Sequence, residues 1–467
     1  MEKNIILGPP GTGKTYELLN IIKELLKDYK PNEIAYVTFT KEGAEQGKKR
    51  SLEKFKGSIY QEDLKYFSTL HSLAFRQLNL DRNQVLNWKH YKIFSKKVGM
   101  NFCGYYTEDL TNNDDKYLFF NELYRNNPEC AKLYLDYLDI SKVEYVNKSF
   151  NNFKKTFELI DYTDMIEKFI KRNKSVGVKI CIIDEAQDLT SLQWKMIWVA
   201  FKDCEKMYIA GDDDQAIYQW SGADVNYFLG LKGNVKILNK SYRLPDNILN
   251  FSTYITKQIQ NRVDKEYVGR GKNGKLDLIS QINELNLKNN ETWMILSRNN
   301  FYLREIRDYL MNNGLLFFDK KKPSAIDKDF ELIKLFERLR KTNIISNNES
   351  YKLKECTDKI NLKVPWYNNF NWKPEKIAYF RNIIENKNYN FKDIKIKLGT
   401  IHSVKGGEAD NVILLSDITK NVKDNFDKNP DSEHRVFYVG ATRAKKNLYI
   451  REGKSKGEYE FNKRSFI

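Results

Sequence analysis

Gly8-Pro9-Pro10-Gly11-Thr12-Gly13-Lys14-Thr15 has the spacing G-x-x-x-x-G-K-[ST]. A loop of this kind cradles phosphate. Its glycines let backbone N–H groups turn inward onto oxygens, the lysine meets the β- and γ-phosphates, and the threonine hydroxyl can ligate Mg²⁺. The competing reading, a chance glycine turn, is weakened by the flanks. Residues 4–7 read as a buried strand, and Leu18, Leu19, Ile22, Leu25 and Leu26 fall on one helical face. Asp184-Glu185 follows the apolar run 180–183. Asp184 can hold Mg²⁺ through water, and Glu185 can orient or deprotonate an attacking water. Alone, such a pair also suits an acidic helix N-cap; behind a phosphate loop in the same sheet it reads as part of a nucleotide site. Gln215, after the apolar run 207–210, offers an amide to a γ-phosphate or a water. Arg243 and Arg443 are candidates to stabilise charge developing on phosphate, or they bond helix ends.

These residues need a frame. Strands are predicted at 34–40, 179–183 and 207–210, each ending in one of the polar loops, with a short segment at 67–72 opening a helix. Strands punctuated by helices imply a parallel α/β sheet with functional residues at the carboxyl ends. A second α/β rhythm follows, with strands at 276–279, 293–297, 395–401, 412–415 and 447–450. The fold class expected is α/β: two P-loop NTPase lobes with parallel sheets, each carrying a helical insertion. The boundaries read as 1–75 and 178–240 for the first lobe, with 76–177 inserted. The second lobe takes 241–319 and 394–467, with 320–393 inserted. That last stretch holds an aromatic cluster at Trp366, Tyr367, Phe370 and Trp372.

Composition narrows the partner. The 467 residues carry 79 Lys plus Arg against 62 Asp plus Glu, a net charge of +17, which suits a polyanion such as nucleic acid or simply a solvated lysine-rich surface. The five cysteines are scattered without a C-x-x-C pair, so a disulfide framework or metal cluster is not indicated and a reducing cytoplasm fits. No leader or bilayer-length apolar run is read, so no membrane partner is expected.

The accumulated signatures resemble the UvrD/Rep-type helicases of superfamily 1. They run in order: GPPGTGKT (8–15), YVTFTKEGAEQ (36–46), STLHSLA (68–74), IIDEAQD (182–188), GDDDQAIYQWSGA (211–223), SYRLP (241–245), TIHSVKGGEAD (400–410) and VFYVGATRA (436–444). The resemblance implies RecA-like lobes and an ATP- and Mg²⁺-dependent motor on single-stranded DNA and single-/double-strand junctions. It implies 3′ to 5′ movement and duplex unwinding driven by cleft closure. Lys14, Thr15, Asp184, Glu185 and Gln215 would form the hydrolytic site, with Arg243 and Arg443 as paired fingers from the second lobe. Tyr242 would stack on adenine and Glu408 contact ribose. Phe39, His71, Tyr218 and Trp220 match positions that touch DNA, Arg298 and Asn299 match a backbone contact, and Thr400 and His402 match the element linking ATP to DNA. Aromatic faces can stack on any base, worth about 1–3 kcal/mol each. Core packing for Tyr218 or Trp220, and structural hydrogen bonding for His71 or His402, stay open.

Departures from the pattern qualify these expectations. The sequence opens on the first strand, without the family's upstream adenine-reading glutamine segment, so relaxed nucleotide choice is expected. Ser221 stands where the family usually has arginine, the 320–393 insertion is short, and little follows Arg443, leaving no room for a fused nuclease. The alternative function is therefore a DNA-stimulated ATPase motor or sensor serving a replication, repair or nuclease partner without unwinding alone. Lys- and Asn-rich composition suits a prokaryotic or phage protein.

Overall fold

A computed structural model describes residues 1–57, 59–104, 106, 114–135, 138–454 and 457–462. The chain divides into two compact units. The first comprises 1–249, 253–272 and 428–439; the second comprises 250–252, 273–427 and 440–467.

In the first unit, β1 (Glu2–Leu7), β2 (Ile34–Thr38), β3 (Phe67–Ser68), β4 (Ile180–Asp184), β5 (Lys206–Gly211) and β6 (Asn234–Ile237) form one sheet in the order β3-β2-β4-β5-β1-β6. All its pairings are parallel. Parallel strands are covered on both faces, so they read as continuous apolar runs, and every residue of β2 and β4 is buried. Alternation then sends the side chains to two cores. Ile5, Leu7, Ala35, Val37, Cys181 and Ile183 pack beneath the helices Tyr162–Arg172 and Ser191–Ala200. Ile6, Ile34, Tyr36, Ile180 and Ile182 face the other way, toward Leu18, Leu19 and Ile22 of the helix Lys14–Leu25. The stretch expected as the first insertion is helical and has its own core of Phe94, Phe120, Val146, Phe150 and Phe153.

The second unit holds β7 (Lys275–Ile279), β8 (Trp293–Ser297), β9 (Phe317–Asp319), β10 (Lys322–Pro323), β11 (Ile396–Thr400), β12 (Ala409–Leu415) and β13 (Ala444–Arg451), in the order β10-β9-β11-β8-β12-β13-β7. All the pairings are parallel except the β9–β10 hairpin. The five strands expected here are present. The hairpin was not expected: β9 lies just before the stretch read as helical and β10 within it, and each strand is too short to show alternation. The helices Asp327–Thr342 and Pro374–Glu385 have no core of their own. Phe330, Phe336 and Phe380 pack in one cluster with Trp293, Ile295 and Leu398 of the sheet. Trp366, Phe370 and Trp372 belong to this packing, with Phe370 and Trp372 edge-to-face at 4.9 Å.

Candidate nucleotide site and nucleic-acid interface

The phosphate loop joins the buried end of β1 to the helix Lys14–Leu25. Gly11 and Gly13 take positive φ (75° and 81°), and the helix starts without a side-chain cap, so its first N–H groups face the loop. Space is as tight as the glycines require. A Cβ on Gly8 would lie 2.2 Å from Lys14 Cγ, and one on Gly11 would lie 2.3 Å from Arg243 Cβ. The second clash identifies a neighbour: the Ser241 hydroxyl donates to the Pro10 carbonyl (2.7 Å), and the Tyr242 N–H donates to the Gly11 carbonyl (2.8 Å). Arg243 is thus held against the phosphate loop within the first unit, although the sequence assigned it to the second lobe. Backbone pairing, invisible in spacing, decides this. Tyr242 is 70% exposed, with the Lys240 ammonium over its ring at 5.6 Å from the centroid.

Neighbouring strand ends bring in the acids. Asp184 closes β4 and accepts a hydrogen bond from the Tyr36 hydroxyl (2.6 Å). Burial, then the adjacent charge of Glu185, lifts its carboxyl to about 6 against the pull of Tyr36 and Lys14. Glu185 occupies the left-handed region (φ 56°), an uncommon conformation for a residue with a side chain, which marks a site held by its surroundings. Gln187 supplies part of that hold. Its amide N–H donates to Glu185 Oε2 (2.6 Å), while its Oε1 accepts from the Asp212 N–H (3.0 Å). Gln215 in turn donates to Asp212 Oδ2 (2.7 Å). Gln187 therefore ties the Asp184-Glu185 turn to the loop carrying Gln215. A Cβ on Gly211 would lie 2.7 Å from Gln187 Oε1. Sequence reasoning assigned no role to Gln187, Tyr36 or Ser241. All three lie inside the quoted signatures, but nothing local to them shows which distant group each would bond.

A buried charge cluster backs the same loop. The fully buried Lys265 ammonium meets Asp212 (3.2 Å), Asp214 (3.0 Å) and Asp213. Arg262 pairs with both oxygens of Asp214 at 2.8 Å, and Arg435 Nε donates to the Asp213 carbonyl (2.8 Å). Burial alone would lower the Lys265 pKa, but the three carboxylates reverse this and hold it above its ordinary value.

The residues expected to touch DNA divide. Phe39, just past β2, and Tyr218 are half-buried neighbours with centroids 5.5 Å apart. Trp220 instead stacks on Phe119 (6.2 Å) and packs against the core of the helical insertion. The core-packing alternative therefore describes Trp220 in this structure, because the insertion supplies an apolar wall that no local pattern announces. His71 and Tyr162 form a T-shaped pair at 5.5 Å, and burial lowers the His71 pKa to about 4, which favours the neutral imidazole.

In the second unit, Arg298 and Asn299 follow β8 and are buried, with Asn299 Oδ1 accepting from the Thr419 N–H (3.3 Å). Thr400 ends β11, its carbonyl accepting from Ser403 Oγ (2.8 Å), and His402 begins the next short turn. Arg443 donates to the Gly407 carbonyl (3.3 Å), which brings it beside exposed Glu408, itself 3.8 Å from Lys445.

The donor set fits a nucleoside triphosphate with its cation. It comprises an uncapped helix start, Gly8 and Gly11 where a side chain would clash, Lys14, and the Thr15 hydroxyl and Asp184 carboxylate as oxygen donors for the cation. Among the described residues no helix is long and apolar enough to cross a membrane.

Comparison with known proteins agrees. The UvrD/REP helicase N-terminal domain matches residues 1–236, and the UvrD-like helicase C-terminal domain matches residues 396–450. The ATP-dependent DNA helicase Rep of Buchnera aphidicola subsp. Acyrthosiphon pisum is 24% identical over 600 aligned positions, covering 96% of this chain and 92% of that protein. The ATP-dependent DNA helicase PcrA of Staphylococcus epidermidis is 26% identical, but over 56% of this chain and 39% of its own length. A probable DNA helicase II homolog of Mycoplasma capricolum is 25% identical over 60% of this chain and 42% of its own length.

Proposed function

This chain belongs to the UvrD/Rep helicase family, and we propose that it is an ATP-dependent DNA helicase moving 3′ to 5′ along single-stranded DNA. The observation that carries this reading is the meeting of three strand-end loops, from β1, β4 and β5, with Arg243 docked on the first of them. ATP would supply the phosphoanhydride bond, with Mg²⁺ on Thr15 and Asp184 neutralising phosphate charge. Lys14 and the uncapped helix amides bind the phosphates. Glu185, fixed by Gln187, orients and deprotonates the attacking water. Gln215 is linked to that pair through Asp212 and adjusts with the phosphate it faces. Arg243 adds positive charge at the loop, and the exposed ring of Tyr242 stacks on the base. Phe39 and Tyr218 offer stacking faces to the DNA strand.

The test is ATP hydrolysis with and without single-stranded DNA, followed by strand displacement on 3′- and 5′-tailed duplexes, with Lys14→Ala as control. Stimulated hydrolysis and displacement of the 3′-tailed substrate are expected. Hydrolysis indifferent to DNA would overturn the reading. A second reading, a DNA-stimulated ATPase subunit that does not unwind alone, is favoured by the turning of Trp220 onto the insertion core. It predicts stimulation without displacement of either duplex.

A further inference from the structure

The carboxyl edge of the second sheet carries an aromatic group that the motif-derived site does not use. Phe301, four residues beyond the end of β8, is 70% exposed. Its neighbour Tyr302 meets it edge-to-face at 5.3 Å and is anchored by a hydroxyl donating to the Ile418 carbonyl (3.0 Å). The phenyl ring therefore has an anchored aromatic neighbour at near-perpendicular geometry while most of its surface stays in solvent.

A single exposed phenylalanine is ordinary; its surroundings are what distinguish this one. Arg304, three residues on in the first turn of the helix Leu303–Asn312, is exposed as well. Register brings the neighbouring strand ends to the same edge. Ser297 of β8 pairs with Thr400 of β11, and Leu398 of β11 pairs with Asp319 of β9. Beyond Asp319 the hairpin tip Lys320-Lys321 is exposed, and Arg307 at 2.8 Å already occupies the Asp319 carboxylate. The edge thus offers one aromatic face amid cations, next to the segment running from Thr400 to His402. An acidic peptide would use the cations but not the ring face, and an apolar protein surface would need a contiguous patch. A chain of phosphates carrying flat bases uses both.

We propose that Phe301 is a base-stacking platform for single-stranded DNA on the second unit, with Arg304, Lys320 and Lys321 meeting the adjoining phosphates. This rests on the functional reading above and extends it to residues outside the family-matched positions.

The test is fluorescence anisotropy of the full chain with a labelled twenty-nucleotide oligo-dT, and with the same strand carrying a central abasic tract, at fixed salt. Loss of one stacked base predicts that Phe301→Ala weakens oligo-dT binding by about 5- to 100-fold but abasic binding by less than about 2-fold. Phe301→Trp should restore tight binding. Lys320→Ala/Lys321→Ala should weaken both strands alike and lower the salt slope by about 0.7 per lost contact. Binding of oligo-dT by Phe301→Ala at wild-type strength, or an equal loss on both strands, overturns the proposal while leaving the functional reading standing. Failure of the unmodified chain to bind either strand overturns both. An unchanged melting temperature for Phe301→Ala, as its exposure predicts, shows that the loss is not unfolding.

Discussion

Replacing Lys265 with methionine isolates the contribution of the buried charge cluster behind Gln215. The lysine side chain is fully buried, and its ammonium faces Asp212, Asp213 and Asp214. Methionine fills similar volume but, among the described residues, leaves the three buried carboxylates with Arg262, which pairs with Asp214, for side-chain ion-pair contact. Breaking a buried pair from one side costs about 3–5 kcal/mol, far more than the net worth of an intact surface pair. Hydrogen exchange of the peptide spanning β5 and the following loop should therefore accelerate by about two to four orders of magnitude. Exchange in β13 of the second unit should not change. The deficit also has a pH sign. Burial, with Asp214 and Asp212 beside it, already raises the Asp213 pKa, and loss of the Lys265 charge raises it further. A carboxyl whose folded pKa exceeds its unfolded value binds its proton preferentially in the fold, so the deficit should shrink as pH falls toward that folded value. A change below about fivefold, or a deficit that grows on acidification, would refute the reasoning.

Gln187→Leu should preserve the fold while releasing Glu185 from its left-handed turn. DNA-stimulated kcat should fall by about tenfold or more with little change in nucleotide affinity, read by steady-state kinetics beside equilibrium binding. Gly11→Ala places a methyl group against Arg243 at positive φ, so nucleotide binding by titration should weaken by about tenfold or more. His71 has a depressed pKa and stays neutral above about pH 5, so His71→Gln should leave the pH dependence of oligonucleotide binding between pH 6 and 8 unaltered. A flattened profile would show that the imidazole titrates there.

Much of the architecture was legible because parallel strands buried on both faces must be apolar throughout, and β2 and β4 read that way at sight. The loops were legible for a different reason: glycine spacing and strand-end acids are dictated locally by phosphate chemistry. The β9–β10 hairpin and β6 were not, since short strands whose positions are set by neighbours leave little pattern of their own. The 320–393 stretch was legible as mainly helical, but not its sharing of one core with the second sheet, because a helix's apolar stripe does not name its partner.

The sequence by itself determined which groups are available for chemistry and in what order, because residue type and spacing along a loop or strand end are local properties. Tertiary structure decided which of them meet. It set Arg243 on the phosphate loop, threaded Gln187 between Glu185 and Asp212, and turned Trp220 onto the inserted helices. It also left Phe301 in solvent among cations. Each of these follows from contacts between residues distant in the chain, whose free energy depends on burial and geometry that linear order does not encode.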